Sequence, residues 1–217
     1  MDIVTLDASN NSEAAERAVS VLKSGGVAIV PTDTIYGLIA DTENIAAVQK
    51  IFKMKKRPEG KTFPLFVASI EAAGQIAAIA PHAKKILKNF WPGKLTAVLK
   101  AKPEAKEWLA REDGTIAIRV PRHPFLLRLL DQFGRPMTET SVNIWKMPTR
   151  EKISDMVSDF ESSGRKPDLI IDAGDLPDSL PSTVVDFTVM PPVILREGAI
   201  SREELEQISG MIYTREA

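Results

Sequence analysis

Apolar residues recur along this chain with two different spacings, and their alternation predicts a mixed α/β fold. Residues 13–23 carry apolar side chains at three- and four-residue intervals, the spacing of one helix face, and this stripe ends before Gly25. The apolar run 27–30 predicts instead a short strand that is buried on both faces. Segments of these two kinds interleave along most of the chain, so we expect helices to flank a sheet.

The same two patterns assign most of the remaining residues. The predicted helices are 13–23, 44–53, 70–80, 83–90, 102–111, 124–133, 152–162 (on the surface) and one that begins at the capping residue Ser201. The predicted strands are 27–30, 64–68, 95–100, 115–120, a short one near Met137, 168–172, 183–187 and 193–196. The last two are joined by a short connection, so we expect them to pair antiparallel. We expect one α/β domain at 14–200, after an N-terminal segment at 1–13 and before a C-terminal helix and tail at 201–217.

Composition narrows the class of protein. The chain of 217 residues is 44% hydrophobic and 26% charged, the balance of a globular domain with a sizeable core. Its net charge of −1 gives no overall reason to expect binding to nucleic acid or to a membrane. The absence of cysteine excludes disulfides, thiolate metal sites and a cysteine nucleophile. The sequence has no signal peptide and no long apolar run, so we expect a cytoplasmic protein.

A strand that ends on polar residues is the first candidate for a binding site. Strand 27–30 stops at Pro31, and residues 32–36 then carry two threonine hydroxyls, a carboxylate and a phenol. Ligands of open α/β sheets gather where strands end, so these residues are predicted to form the lip of a pocket. The alternative is an ordinary turn from a strand into a helix, with Asp33 or Thr34 as the N-cap.

A second candidate is the basic segment 53–57, which follows a predicted helix. Lys55 and Arg57 are two residues apart before a proline, in a stretch predicted to be extended, where such residues point the same way. Two fixed cations suit a triphosphate, because arginine offers a bidentate fork and lysine a point charge. The alternative is a solvated end of a helix whose dipole the cations complement.

The segment 140–143 follows the short strand predicted near Met137. Its hydroxyl and amide side chains, Ser141 and Asn143 among them, are able to donate to a phosphate or a ribose. The alternative interpretation is a turn that is stabilised by these short polar side chains.

The strands later in the chain carry further candidates. Thr115 and Arg119 share the small-residue face of strand 115–120, and an arginine there is costly unless it is paired. Arg119 therefore suits a bound carboxylate or phosphate, and an internal salt bridge is the alternative. Ser182 and Arg196 lie at the ends of two strands that are expected to be neighbours. Each signal is weak when it is taken alone.

Taken together and in this order, these segments resemble the YrdC-like family, which includes the threonylcarbamoyl-AMP synthases. The resemblance covers about 14–200, and its specificity comes from the ordered set rather than from any one piece. The segments are Gly25-Gly26, 31–38, Lys55 with Arg57, Trp91-Pro92-Gly93, Arg119-Val120-Pro121, Ser141 with Asn143, Pro181 to Asp186, and Arg196-Glu197-Gly198.

The resemblance implies a twisted mixed sheet with flanking helices and a concave positive cleft. It implies an enzyme that joins L-threonine, bicarbonate and ATP, with Mg²⁺, into threonylcarbamoyl-adenylate and releases pyrophosphate for the threonylcarbamoyladenosine modification of tRNA. It places Lys55, Arg57, Thr115, Ser141, Asn143 and Arg196 around ATP, with Lys55 and Arg57 as the catalytic cations. It places Thr34, Arg119 and Ser182 around threonine, and other tRNA-modification proteins are the implied partners.

The sequence also departs from the family pattern. Phe63 and Ala68 stand where one branch has asparagine and histidine, the stretch 59–63 is longer than in that branch, and Ile144-Trp145-Lys146 follows Asn143 where Ser-Gly is common. The chain stops near Ala217, so the extra C-terminal domain of longer relatives is not expected. Two alternatives therefore stay open, a double-stranded RNA-binding module and a nucleotide-binding paralogue without threonine activity.

Overall fold

The computed structural model describes residues 1–7, 9–58, 62–144, 152–162, 165–211 and 213–215. The helices are α1 (Asn11–Lys23), α2 (Ile45–Lys55), α3 (Ile70–Ile76), α4 (Pro81–Phe90), α5 (Pro124–Phe133), α6 (Ile153–Ser162) and α7 (Arg202–Ser209). The strands are β1 (Asp2–Thr5), β2 (Val27–Val30), β3 (Gly37–Ala40), β4 (Leu65–Phe66), β5 (Ala77–Ala78), β6 (Leu95–Ala101), β7 (Thr115–Arg119), β8 (Met137–Thr138), β9 (Thr140–Ser141), β10 (Leu169–Asp172), β11 (Thr183–Asp186), β12 (Val193–Arg196) and β13 (Thr214–Arg215).

The strands form two mixed sheets, which confirms the predicted α/β class with parallel and antiparallel pairing. The first sheet has the order β1-β10-β2-β3-β9, and the second has the order β13-β12-β11-β6-β7-β4-β8, with β5 paired to β6. The pair β11 and β12 is antiparallel, as predicted. An isolated bridge between Asp41 and Met137 joins the end of β3 to β8, so the two sheets meet beside the segment 137–143.

Three apolar clusters fill the space between the sheets and the helices. The first sheet is covered on both faces, because successive residues of β2 alternate between two clusters: Ala28 packs with α1 and α5, and Ile29 packs with α2 and α6. The third cluster lies between the second sheet and α3, α4 and α7. Burial on both faces explains why β2 is uniformly apolar.

Local signals set several helix ends as expected. The Ser201 side chain accepts a hydrogen bond from the Glu204 backbone N–H at 3.1 Å, so the predicted N-cap of α7 is confirmed. The Asn44 side chain caps α2 in the same way, through the Ala47 N–H at 3.1 Å. Gly25, with φ at +81°, follows the end of α1 in a left-handed conformation that favours glycine.

Three local predictions are wrong, and tertiary contacts explain them. The helix predicted at 102–111 is only a short 3₁₀ turn at Glu107–Leu109, because the Lys102 backbone N–H pairs with the Ile76 carbonyl and prolongs the strand edge. Residues 77–78 leave the helix predicted at 70–80 and pair with β6 as β5. The segment after Pro31 runs into β3, which pairs antiparallel with β2, so the alternative turn into a helix is also wrong. Helix α6 buries Met156 and Phe160 on one face and leaves Ser154 and Asp155 exposed on the other, so it is a surface helix, as predicted.

Strands β1, β3, β9 and β13 were not predicted. Strand β1 lies within the segment 1–13 and pairs in parallel with β10 at the edge of the first sheet. Its residues are exposed or partly exposed, so it lacks the apolar run by which a buried strand is recognised. The domain boundaries at 13 and 200 stay predictions.

Candidate functional site

A cavity of about 410 Å³ opens where the two sheets meet. This volume is within the range of small-molecule sites. Seven of the nine predicted site residues line it, from segments that are far apart in the sequence: Thr34, Lys55, Arg57, Ser141, Asn143, Ser182 and Arg196. The described lining carries four cationic side chains (Lys55, Arg57, Arg111 and Arg196) and one acidic side chain (Glu139). Such a lining suits an anionic ligand.

The two basic residues of the segment 53–57 reach the cavity through a turn that the sequence prediction missed. Lys55 is the last residue of α2, and Lys56 follows in the left-handed conformation with φ at 52°. The Arg57 backbone N–H then bonds back to the Phe52 carbonyl at 3.0 Å, which closes the end of the helix. The prediction that Lys55 and Arg57 share one side of an extended chain is therefore wrong. The left-handed residue between them turns both side chains to the cavity.

The Lys55 side chain is held by the segment 140–143. The residue is only 2% exposed, and its Nζ donates to the Ser141 carbonyl and, at 2.9 Å, to Asn143 Oδ1. The Ser141 hydroxyl donates to the same amide oxygen at 2.5 Å. The lysine, the serine and the asparagine thus form one hydrogen-bonded group at the wall of the cavity. This juxtaposition confirms that the two segments meet.

Burial changes the protonation of this lysine. Desolvation, with a smaller contribution from the nearby Arg57 charge, lowers the pKa of Lys55 from 10.5 to about 7. Burial and the Arg111 charge likewise lower the pKa of Arg57. Cations that have lost part of their hydration interact strongly with an anion that enters the cavity.

The Arg57 side chain packs on a pair of aromatic rings, Phe63 and Phe52. Its guanidinium lies 4.8 Å from the centre of the Phe63 ring, which packs on Phe52 with a centroid distance of 4.4 Å. Its Nη2 also donates to the Thr62 carbonyl at 3.0 Å. Phe63, which departs from the family pattern, therefore supports a cavity cation in this chain. Of the other departures, Ala68 packs against the cluster that contains α1 and α5, and Trp145 and Lys146 lie outside the described residues.

The hydroxyl-rich segment 32–36 forms another wall. Thr32 Oγ1 accepts from the Thr34 backbone N–H at 3.0 Å and donates to the Ile35 carbonyl at 2.7 Å, so this tight turn is held by its own side chain. The Tyr36 hydroxyl donates to the Gly174 carbonyl and accepts from the Ala173 N–H. Its burial raises the pKa of Tyr36 to about 12, so this phenol stays protonated. The predicted pocket lip is therefore confirmed as part of the cavity wall.

Arg119 is fully buried beneath this wall and does not line the cavity. Its Nη2 bonds to Asp33 at 2.6 Å, its Nη1 bonds to Thr34 Oγ1 and Glu139 Oε1, both at 3.2 Å, and its Nε donates to the Gly93 carbonyl at 3.0 Å. The internal salt bridge, one of the two interpretations of this residue, is thus present. The fork from Arg119 onto a ligand carboxylate stays a prediction.

Thr115 is also absent from the described lining of the cavity. It is buried at the start of β7, where its backbone N–H and its hydroxyl both bond to Asp113 Oδ1, at 2.9 and 2.6 Å. Ala117, two residues further along the same strand face, lines the cavity instead. The structure thus assigns Thr115 a local structural contact, and its predicted contact with a nucleotide is untested.

Ser182 and Arg196 meet at the far side of the cavity, as predicted. The Arg196 guanidinium donates to the Ser182 carbonyl at 2.8 Å, and the Ser182 hydroxyl shares a 2.8 Å hydrogen bond with Thr96. Burial lowers the pKa of Arg196, whereas the Glu139 charge raises it. Gly198 has no room for a side chain, because a Cβ at this position would lie 2.1 Å from the Pro181 carbonyl oxygen.

Thr183 ties these two segments together, which gives a testable prediction. Its buried hydroxyl donates to the Ile200 carbonyl at 2.6 Å and accepts from the N–H groups of Gly198 and Ile200, each at 3.0 Å. Thr183→Val keeps the shape but leaves these groups unpaired, so we expect a loss of about 1–3 kcal/mol in the free energy of unfolding. Urea unfolding measures this loss. Thr188→Val, at a partly buried threonine, is the comparison, and an equal loss there would contradict the special role of Thr183.

The sequence prediction missed two charged residues of the cavity. Arg111 comes from a segment that was assigned to a helix, and Glu139 lies between the two-residue strands β8 and β9, beside the polar segment that was recognised. Burial raises the pKa of Glu139, whereas Arg119 and Arg196 lower it. A carboxylate directly before the hydroxyl-rich segment 140–143 was the available signal.

Within the described residues, no group of three or more histidine or acidic side chains is placed to hold a metal ion. No helix in the described part of the chain combines the length and the apolar character that crossing a membrane requires.

Comparisons with known proteins agree on one family. Residues 20–198 match a family model for Sua5, YciO and YrdC proteins that is described as "Telomere recombination". The threonylcarbamoyl-AMP synthase of Bacillus subtilis is 34% identical over 212 residues, which make up 97% of this chain and 60% of that protein. The chain therefore spans less than two thirds of the length of this relative.

Solved structures are similar over nearly the whole chain. The structure of Pyrococcus abyssi Sua5 complexed with L-threonine has a TM-score of 0.89 and 31% identity, and the match covers 99% of this chain and 62% of that one. Escherichia coli YciO has a TM-score of 0.80 and 30% identity, and the match covers 91% of this chain and 94% of that one. The relatives therefore include one protein named for an activity and one that is named uncharacterized.

Proposed function

We propose that this chain, which belongs to the Sua5/YciO/YrdC family, is a nucleotidyltransferase that makes L-threonylcarbamoyladenylate. Its substrates are L-threonine, bicarbonate and ATP, and pyrophosphate is the second product. The names of the relatives support the reaction, and the bound threonine in the P. abyssi Sua5 structure supports the amino acid. The product serves the threonylcarbamoyladenosine modification of tRNA, with the cytoplasm as the location and other tRNA-modification proteins as partners.

The observation that carries the proposal is the convergence of separate segments on one cavity. Lys55, at the end of α2, and Arg57, just after it, line the same cavity as Ser141 and Asn143, to which Lys55 is hydrogen-bonded, and Arg196 lies at the far side. A phosphate chain is matched by fixed cations, and a ribose or base is matched by short hydroxyl and amide groups. We therefore assign the nucleotide to this part of the cavity. The Thr115 hydroxyl bonds to Asp113 and the residue does not line the cavity, so Thr115 is a weaker candidate for this role.

Threonine is assigned to the neighbouring part of the cavity, beside Thr34 and Ser182. Both side chains line the cavity, and both hydroxyls are anchored, Thr34 by Arg119 and Ser182 by Thr96. An anchored hydroxyl presents its remaining hydrogen-bonding capacity in a fixed direction, which favours recognition of a small polar substrate. Arg119 acts here by holding Thr34 in place.

The chemistry requires positioning and charge neutralisation rather than a protein nucleophile. The threonine amine attacks the carbon of CO₂, formed from bicarbonate, and gives a carbamate with loss of a proton. A carbamate oxygen then attacks the α-phosphorus of ATP, and the bond to the pyrophosphate leaving group breaks. Lys55 and Arg57 neutralise charge on the phosphates as that bond breaks. Mg²⁺ enters with ATP as part of the substrate, since magnesium usually takes most of its ligands from phosphates and water.

RNA binding is not favoured by a specific observation. The cations that converge in the structure line a cavity, and Lys55 among them is buried. The net charge of the chain is −1. A duplex binds chiefly through many exposed cations on one face. A weak, strongly salt-dependent association with double-stranded RNA is the measurement that would restore this alternative.

The reaction itself provides the test of the proposed function. The chain is incubated with radiolabelled L-threonine, bicarbonate and Mg·ATP, and the nucleotides are then separated. We expect a labelled adenylate that requires all three substrates, with stoichiometric release of pyrophosphate. Binding of ATP without any labelled adenylate would identify the nucleotide-binding paralogue instead, and phosphate release without threonine would identify a simple ATPase.

The lowered pKa of Lys55 gives a prediction about protons. In the folded protein the lysine loses its charge above about pH 7, whereas in the unfolded chain it stays charged to about 10.5. A bound phosphate chain favours the charged form, so at pH 8 we expect ATP binding to take up about one proton. Calorimetry in two buffers with different ionisation enthalpies measures this uptake. At pH 6 the lysine is already charged, so no uptake by Lys55 is expected, and a Lys55→Met variant is the control at both pH values.

The same shift also affects stability without a ligand. Between about pH 7 and 10.5 the unfolded chain binds more protons at Lys55 than the folded chain does. The contribution of this residue to the free energy of unfolding therefore rises with pH across that window and is smallest below it. A Lys55→Met variant lacks this rise.

A further inference from the structure

Arg111 differs from the other cations of the described cavity lining. It lines the cavity and is exposed, so it stands at the opening. Among the described residues, its side chain has no hydrogen bond, ion pair or aromatic contact. Lys55, Arg57 and Arg196, by contrast, each donate to a backbone carbonyl of the cavity wall. The guanidinium of Arg111 therefore keeps its donor groups for a ligand.

The backbone at Arg111 is fixed, although the side chain is exposed. The Arg111 N–H donates to the Thr115 carbonyl at 2.8 Å, and the Gly114 N–H donates to the Arg111 carbonyl at 2.9 Å. These two bonds close a tight turn directly before β7, whose Ala117 lines the same cavity. The side chain thus begins at a defined point of the rim, which limits the freedom that is lost when it binds a ligand.

The two acids nearest in the sequence or in the cavity are not paired with Arg111. Hydrogen bonds from Thr115 and, more weakly, the Arg111 charge lower the pKa of Asp113. Asp113 Oδ1 accepts from the Thr115 N–H and hydroxyl, and no ion pair joins Asp113 to Arg111 in the described part of the chain. Glu139, the acid of the described lining, forms its ion pair with Arg119. The charge of Arg111 is therefore available to an anion.

Three cations follow one another from the wall of the cavity to its mouth. After desolvation, the Arg57 charge lowers the pKa of Lys55 and the Arg111 charge lowers the pKa of Arg57, so each residue lies close to the next. Exposure increases along this row, from the buried Lys55 through the half-buried Arg57 to the exposed Arg111. Like charges held near one another repel, and a chain of phosphates supplies several negative charges in a row.

We propose that Arg111 binds the outer phosphates of the nucleotide and selects a triphosphate over a monophosphate. The identity of the ligand as ATP rests on the proposed function, whereas the order of the cations rests on their burial and their proximity. Lys55, which is bonded to Ser141 and Asn143, meets the phosphate next to the ribose. At the mouth, the Arg111 guanidinium donates in a bidentate way to phosphate oxygens. Pyrophosphate is thus formed at the opening through which it leaves.

Three phosphate probes test the proposal on the full chain. Calorimetry in the presence of Mg²⁺ compares the binding of ATP, AMP and inorganic pyrophosphate by the wild type and by Arg111→Gln, which removes the charge and the fork. We expect the variant to bind ATP and pyrophosphate about tenfold more weakly and AMP within about twofold of the wild type. Arg128→Gln is the matched control, because Arg128 is exposed on α5 and does not line the cavity, and it keeps all three affinities.

The comparison between ATP and AMP separates a contact with the outer phosphates from any other effect. An equal loss for ATP and AMP in Arg111→Gln would overturn the proposal, and so would an unchanged ATP affinity. The unfolding midpoint of the variant in urea is expected to match that of the wild type, since Arg111 is exposed. Arg111→Lys keeps the charge without the fork and is expected to lose about threefold in ATP affinity alone. If the Gln variant is unstable, a wild-type preference for ATP over AMP in Arg111→Lys counts against the proposal.

The outcomes also separate this inference from the proposed function. If the wild type prefers ATP to AMP and Arg111→Gln loses this preference, but no labelled adenylate forms from threonine, the role of Arg111 stands and the proposed reaction is wrong. If the adenylate forms and the Gln variant retains the preference, the reaction stands and the role of Arg111 is wrong. Failure of ATP to bind the wild type contradicts both.

Discussion

Replacing Lys55 by alanine is expected to reduce kcat/KM for adenylate formation by about 100- to 1,000-fold, the usual cost of removing one preorganised charged donor. The buried Nζ is held by the Ser141 carbonyl and Asn143 Oδ1 at the cavity wall, so its position is fixed before the substrate arrives. Most of the loss is expected in kcat, because the charge matters most when the bond to pyrophosphate breaks. Steady-state assays of pyrophosphate release at saturating and limiting ATP separate the two parameters.

Lys53→Ala is the matched control for this variant. Lys53 lies in the same last turn of α2 but is exposed and does not line the cavity. We expect its removal to leave kcat/KM within about twofold of the wild type, since an exposed charge outside the cavity is screened by solvent. Wild-type activity in Lys55→Ala would contradict a role for the buried lysine in the reaction. An equal loss in Lys53→Ala would show that the charge of the segment as a whole serves the reaction.

Replacing Arg119 by leucine is expected to lower the free energy of unfolding by about 3–5 kcal/mol. The reason is that Asp33 and Glu139 would lose their shared cation while they remain largely buried. The Thr34 hydroxyl would also lose a donor, so threonine binding is expected to weaken in the fraction that folds. Urea unfolding at pH 7 measures the change in stability, provided that the slope with denaturant is unchanged.

An exposed ion pair provides the comparison for Arg119. Arg17 and Asp2 are 2.5 Å apart, but more than half of each side chain is exposed, so Arg17→Ala is expected to leave the unfolding midpoint nearly unchanged. A second variant, Arg119→Leu with Glu139→Gln, removes one of the stranded acids and should recover part of the loss. Equal midpoints for Arg119→Leu and the wild type would mean that the buried cluster does not hold this part of the fold.

How much of this structure is predictable from the sequence depends on how local each signal is. The apolar patterns that predict β2, α5, β11 and β12 are local, and the structure has these three strands and this helix where they were predicted. By contrast, Ala77 and Ala78 have high helix propensity but pair with β6, and Lys102, where a helix was predicted to begin, prolongs the strand edge. Tertiary pairing overrides weak propensity in such segments.

In the candidate site, too, the residue types could be predicted from the sequence, whereas their geometry could not. The residue types that serve it were visible as polar groups at strand ends, and seven of the nine named residues line one cavity. The turn that aims Lys55 and Arg57 was not visible, because it depends on a left-handed lysine at position 56, where glycine is usual. The role of Arg119 required knowledge of what lies across the sheet, since Asp33 and Glu139 are distant in sequence.

The central claim is that segments 53–57 and 140–143, together with Arg196, bind one nucleotide. A crystal structure of the chain with Mg²⁺ and a non-hydrolysable ATP analogue tests it most directly. We predict phosphate oxygens within hydrogen-bond distance of Lys55 Nζ and the Arg57 guanidinium, with Ser141 and Asn143 in contact with the same molecule. A nucleotide bound elsewhere on the chain, with this cavity empty, would contradict the account.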